Sequence, residues 1–171
     1  MEVAVNGGML DPFRHNAWAT RELLAICGKL SPEQLDATAS GTYGSVARTL
    51  HHLISSEDYY RSLLTGTERR WRSSDATPSL AELSRRADDL AATWEDFLSQ
   101  PFDSERVVTD EDEDGVSEIR AGMIIAQILN HGTDHRTQIL TILTTLGVEH
   151  ADLDGWDYGA ATGRVVTTER S

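Results

Sequence analysis

The stretch that most constrains this chain is Ile124-Ile125-Ala126-Gln127-Ile128-Leu129-Asn130-His131-Gly132-Thr133-Asp134-His135-Arg136-Thr137-Gln138-Ile139-Leu140. Its apolar residues, continued by Ile142, Leu143 and Leu146, recur at helical spacing. At about 100° per residue they fall in a stripe roughly 120° wide, the buried face of a bundle helix. His131 and His135 lie inside that stripe, and four residues along a helix brings their Cβ atoms to about 5–6 Å. Two neutral imidazoles on an Ile/Leu face are costly unless each finds a partner. Hydrogen bonds within the core satisfy them one at a time; a single cation satisfies both.

The rest of the chain supplies helices for such a face to pack against. Asp11-Pro12 offers an N-cap and a proline at the first helical position, predicting a helix over about 11–28 that ends at Gly28. Ser31-Pro32-Glu33-Gln34 forms a capping box for one short turn. Gly41 to Ser45 opens a second long helix over about 45–65, with a core stripe of Val46, Leu50, Leu53, Glu57, Tyr60 and Leu64, closed by Gly66. Residues 67–76 read as a polar linker carrying Trp71. Thr77-Pro78-Ser79 with Glu82 starts a third helix running to about Gln100, before Pro101. Arg106–Thr109 and Val116–Ile119 are strand-like runs flanking an acidic loop, Asp110 to Asp114. The histidine helix spans about 121–146 with Gly147 just beyond it. Trp156 and Tyr158 pack back onto the bundle, and Gly163–Ser171 fray. The expected fold is a single all-α domain over residues 1–171, a four-helix bundle with one long crossover before its last helix.

Net charge narrows the function. With 28 acidic residues against 15 basic, the chain carries −13 and repels phosphate backbones, which argues against nucleic acid as a partner. No apolar run approaches a membrane span and no signal-peptide pattern opens the chain, so the expectation is a cytoplasmic protein without a membrane partner. The single cysteine, Cys27, excludes an internal disulfide and reads as a buried thiol.

A working metal site needs a third protein ligand and an open position. His15 and His150 read as surface residues. On the wheel His51 shares a solvated face with Ala47, Ser55, Asp58 and Ser62, whereas His52 flanks the core stripe beside Ser56 and Tyr59. The wheel favours His52 over His51 by a small margin. Glu57, on the core line, is either a base or imidazole partner or the mate of an arginine that holds the bundle. Gln138 and Asp134 are candidate partners of the histidines; Arg136 suits an anionic substrate or an interhelical pair.

Three segments resemble the DinB/YfiT-like metalloenzyme family. Thr49-Leu50-His51-His52-Leu53-Ile54-Ser55-Ser56-Glu57-Asp58-Tyr59-Tyr60 resembles its second-helix motif, whose register selects His52. Asn130 to Gln138 resembles its fourth-helix motif of two histidines followed by Arg and Gln, with Thr137 where that motif has glycine. Trp18, Leu146-Gly147 and the segment from Asp152 to Tyr158 resemble the ends of the pattern. The resemblance implies a four-helix bundle, often a homodimer, with a divalent metal on His52, His131 and His135. Zinc is the first choice, with nickel, iron or manganese as others. It also implies a thiol-dependent transferase that uses a small-molecule thiol, such as bacillithiol or mycothiol, on an electrophilic substrate. In that reading Glu57 is the catalytic candidate and Arg136 and Gln138 contact cofactor or substrate. The alternatives are a non-catalytic metal-binding stress-response module and a metal-dependent hydrolase or isomerase.

Overall fold

Six helices and one hairpin make up the described part of the computed structural model, residues 7–112 and 115–168. In chain order they are α1 (Gly7–Cys27), α2 (Pro32–Leu35), α3 (Val46–Thr65), α4 (Leu80–Leu98), β1 (Val107–Asp112), β2 (Gly115–Arg120), α5 (Ala121–Thr145) and α6 (Gly155–Ala161). The chain is mainly helical, and among the described residues no helix is long and apolar enough to cross a membrane.

Local chemistry sets most of the helix ends. Ser31, Ser45 and Ser79 each accept a backbone N–H three residues on, and Gln34 completes the capping box at α2. Gly66 takes a left-handed conformation, φ +67°, and its N–H donates to the Ser62 carbonyl. Gly147, at φ +70°, ends α5 in a Schellman turn, in which the N–H of Val148 reaches back to the carbonyl of Leu143 and that of Gly147 to Thr144.

The four long helices pack in a ring: α1 against α4 and α5, and α3 against the same two. Their inner faces supply Leu23, Leu50, Leu83, Leu90, Ile128 and Ile139, all nearly or wholly buried. Each such side chain contributes about 1.5–3 kcal/mol of transfer free energy.

Tyr158 packs back onto the bundle as expected, but Trp156 does not, being 75% exposed on the outer side of α6, and four further expectations need correction. Helix α1 begins at Gly7, a turn before Asp11-Pro12, so Pro12 lies within it and not at its first position. The missing proline N–H costs one bond, to the carbonyl of Gly8, which is exposed and free to turn to solvent. Asp110, Glu111 and Asp112 are not loop residues: they extend β1 and pair with Ser117, Val116 and Gly115 in the antiparallel ladder. The Tyr59 hydroxyl donates to Asp110 and ties the hairpin to α3; Glu113 and Asp114 fall outside the described residues. The tail beyond Gly163 is held at its start, since Arg164 and Val165 donate backbone N–H to the Gly159 carbonyl and Arg164 pairs with Asp11. The frayed end expected at residues 169–171 falls outside the described residues.

The fourth correction concerns α3. The face carrying His51, Ser55 and Asp58 is buried: they are 2%, 0% and 0% exposed. Segment 67–76 returns across it. Asp58 accepts hydrogen bonds from the backbone N–H groups of Arg70 and Trp71 and from the side chains of Arg61 and Arg70. Burial disfavours the Asp58 carboxylate, but the bonds from Arg61 and Arg70 outweigh it and hold the pKa below the usual range. The guanidinium groups of Arg70 and Arg86 both lie over the Trp71 ring, 4.1 and 4.9 Å from its centroid.

Candidate metal centre

Helices α3 and α5 pack side by side and present three histidines to one point. His52, His131 and His135 each offer a ring nitrogen, and the three nitrogens lie within 4.8 Å of one another. The Nε2 atoms of His52 and His131 face each other at 3.1 Å. One ion with zinc–nitrogen bonds of about 2.0–2.1 Å and tetrahedral angles needs its ligand nitrogens about 3.3–3.4 Å apart. The observed approach therefore suits two ligands of one cation. Burial, then the neighbouring His135, pushes the pKa of both His52 and His131 down to about 4, so both rings are neutral at pH 7 and carry free lone pairs.

Gln138 fixes the third ring. Its Oε1 accepts from the backbone N–H of Tyr43 at 2.9 Å, and its Nε2 donates to Asp134 at 3.1 Å. With the amide oriented from both ends, Oε1 is also the acceptor for His135 Nδ1, 3.1 Å away. Nδ1 of His135 must then carry the proton, which leaves Nε2 bare toward its two neighbours. Ser56 stands behind His52 Nδ1 at a looser 3.5 Å.

Aromatic rings wall the cluster. Tyr43, on the loop before α3, stacks on His52 with centroids 4.0 Å apart and planes at 17°. Tyr60 meets His131 edge-on at 5.6 Å and accepts a hydrogen bond from Gln127. No sequence pattern marks Tyr43 as part of a site. Its position in a glycine-flanked turn next to a helix start was the only local cue.

Glu57 and Arg136 belong to a different part of the core. Glu57 accepts from Trp94 Nε1 at 2.8 Å and Asn16 Nδ2 at 3.1 Å. The Asn16 Oδ1 in turn accepts from Arg136 at 2.7 Å, and Arg136 also reaches Thr20 and Thr133. One polar network thus joins α1, α3, α4 and α5. Burial raises the Glu57 pKa despite these donors, and burial lowers that of Arg136 to about 10 despite Glu57. No histidine is a hydrogen-bond partner of either side chain among the described residues. Gly132 makes the network possible: a Cβ there would lie 2.5 Å from Asn16 Oδ1 and 3.0 Å from Arg136 Nη1.

The other histidines stand apart. His51 is buried, contrary to the wheel, because the returning segment covers it; burial lowers its pKa, with Arg86 adding to the effect. His15 and His150 are partly buried, not free surface residues: His15 contacts the Leu153 carbonyl at 2.8 Å, and His150 contacts the Thr144 hydroxyl at 3.0 Å. Cys27 is buried and its thiol is pushed up to about 12 by desolvation, which suits packing and not nucleophilic chemistry.

No curated protein matches the chain significantly. A family model does match, over residues 1–170, and with a three-histidine cluster shared between two packed helices it identifies the chain: it belongs to the DinB family.

Proposed function

We propose that this protein is a metal-dependent, thiol-using S-transferase that acts on a small electrophile. His52, His131 and His135 hold a divalent ion, zinc in the first instance. The observation that carries this reading is the convergence of three imidazole nitrogens within 4.8 Å, one of them turned inward by Gln138. Bound zinc on three neutral histidines keeps an open position and lowers the pKa of a thiol there, so that thiolate is available at neutral pH.

The remaining roles fall to the chain itself. Tyr43 and Tyr60 flank the cluster with their rings, and Gln138 keeps His135 in one tautomer. In the overall reaction the thiol proton leaves to solvent, sulfur bonds to the electrophilic carbon, and the leaving group departs with its bonding pair. Glu57 and Arg136 are assigned to the network that joins the four long helices. That assignment follows from Glu57 accepting from Trp94 and Asn16, the latter in turn holding Arg136. The four long helices form a four-helix bundle in which β1–β2 is part of the crossover. The protein acts in the cytoplasm as a twofold dimer, the commonest oligomer.

Elemental analysis of protein purified without an affinity tag should give about one divalent ion per chain. A chelator should lower the melting temperature of the wild type. At a free-ion level a hundred times Kd the lost stabilisation is about 2.7 kcal/mol, or about 5–10 °C for a chain of this size. His135→Ala should lose that response. Equal shifts in both proteins would refute the metal assignment. Metal without consumption of any thiol in a screen against haloalkane and bimane electrophiles would refute the transferase and leave a binding module.

A further inference from the structure

Arginines in this acidic protein are mostly committed. Among the described residues, seven of them pair with carboxylates: Arg14, Arg21, Arg61 and Arg70, with Arg85, Arg86 and Arg164. Arg106 and Arg120 donate to backbone carbonyls, and Arg136 lies in the buried network. The guanidinium group of Arg48 has no carboxylate or carbonyl partner among the described residues. It lies over the Tyr43 ring, 5.5 Å from the centroid.

Its place is built. The stem of Arg48 runs across Gly44, where an added Cβ would meet Cδ at 3.0 Å and Cγ at 3.4 Å. The Tyr43 ring beneath the guanidinium is itself stacked on His52 at 4.0 Å. The charge thus stands within about one Debye length, ~8–10 Å, of a candidate metal ligand. Arg69 is a second cation nearby, 4.8 Å over the Tyr59 ring, with its Nε donated to the Trp71 carbonyl. The Tyr59 ring is in turn 5.6 Å from that of Tyr60, which meets His131 edge-on. Uncompensated cations beside a cation site weaken it, and an arriving anion relieves the repulsion.

We propose that Arg48, with Arg69 in support, receives the anionic group of the substrate, which is therefore a small thiol that carries a negative charge at the end remote from sulfur. This rests on the thiol reading of the site given above. A guanidinium over an aromatic face keeps its edge donors free for a carboxylate, sulfonate or phosphate. The guanidinium is 5.5 Å from the Tyr43 centroid and that centroid 4.0 Å from the His52 ring, within the reach of a small thiol that holds its sulfur at the histidines and its anion at Arg48. Arg136 is not available for this role, being 4% exposed and already bonded.

The test compares three probes by calorimetry on zinc-loaded protein at fixed ionic strength. They are 2-mercaptoethanesulfonate, 2-mercaptoethanol, and ethanesulfonate, which has the anion without the sulfur. Wild type should bind mercaptoethanesulfonate about ten-fold more tightly than mercaptoethanol, and Arg48→Gln should remove that preference while leaving mercaptoethanol unchanged. Equal binding of the two thiols by wild type, or a preference that survives Arg48→Gln and Arg48→Gln/Arg69→Gln, overturns the anion site and leaves the thiol reading standing. Arg48-dependent binding of ethanesulfonate as tight as that of mercaptoethanesulfonate keeps the anion site and overturns the thiol reading. Binding of none of the three overturns both.

Discussion

Replacing Gly132 with alanine tests whether the buried network fixes the spacing of α1 and α5. A Cβ at this position would sit 2.5 Å from Asn16 Oδ1, against 3.4–4 Å for ordinary contact. Two responses are open. If Asn16 swings away, Arg136 loses one acceptor and Glu57 one donor, each bond to a charged group being worth about 1.5–3 kcal/mol. If α5 moves instead, overpacking costs about 1–3 kcal/mol. Against either stands the gain of about 1 kcal/mol from alanine over glycine inside a helix. With the middle of each range the net loss is about 1–4 kcal/mol, which at ~2–4 °C per kcal/mol lowers the melting temperature by about 2–16 °C. Gly8→Ala is the control: it too is helical but has nothing within 4 Å of the added carbon, so it should leave stability unchanged or raise it by up to about 1 kcal/mol. Thermal and urea unfolding of both variants give the numbers. In a double-mutant cycle Gly132→Ala should cost at least about 1 kcal/mol less in an Asn16→Ala background, because the clashing atom is gone. A Gly132→Ala protein as stable as wild type, or a cycle with no coupling, would refute the argument.

Gln138→Leu should keep the fold but weaken zinc binding by about 10–100-fold, and nitrogen NMR should find His135 in both tautomers instead of one; an unchanged tautomer would count against the amide's role. Asp58→Asn should destabilise by about 3–5 kcal/mol at pH 7, since it leaves the buried Arg61 facing a neutral group, while Arg70 keeps Asp89. Because the Asp58 pKa is depressed on folding, its contribution is present above the unfolded value of 3.8 and lost as pH falls below it. Urea midpoints of wild type and Asp58→Asn should therefore converge in that acid range, and parallel curves would contradict the sign. Cys27 should resist iodoacetamide at pH 8 in the native state and react at the rate of unfolding, a rate that mass spectrometry follows; fast native labelling would contradict its burial.

The helical periodicities and the caps after α1 were legible because they depend on neighbours three or four residues away, whereas Asp11-Pro12 misplaced the start of α1. Ser31, Ser45, Ser79, Gly66 and Gly147 all act at the ends that their types suggest. The pairing of His131 with His135 was legible for the same reason. A helical wheel sees one helix at a time and so places the buried His51 on a solvated face. Twelve of the twenty residues of α3 are buried, on more than one face, since segment 67–76 folds back over Asp58. Serine, aspartate and histidine on that face look solvated until the covering segment is known; Trp71 in an otherwise polar linker was the available hint. Asn16, likewise, has no pattern that distinguishes it from a surface amide. Its importance comes from contacts 41 and 120 residues away in sequence, to Glu57 and Arg136.

A single oxygen, Gln138 Oε1, receives both the Tyr43 backbone N–H and the His135 ring N–H. The docking of the loop that carries Tyr43 and the orientation of the His135 ring are therefore coupled through that oxygen. Whatever ion favours the inward-facing Nε2 also favours the docked loop, and by reciprocity a docked loop tightens the ion by the same factor. The rate at which residues 41–45 exchange their amide hydrogens then becomes a measure of occupancy at a centre that those residues do not ligate.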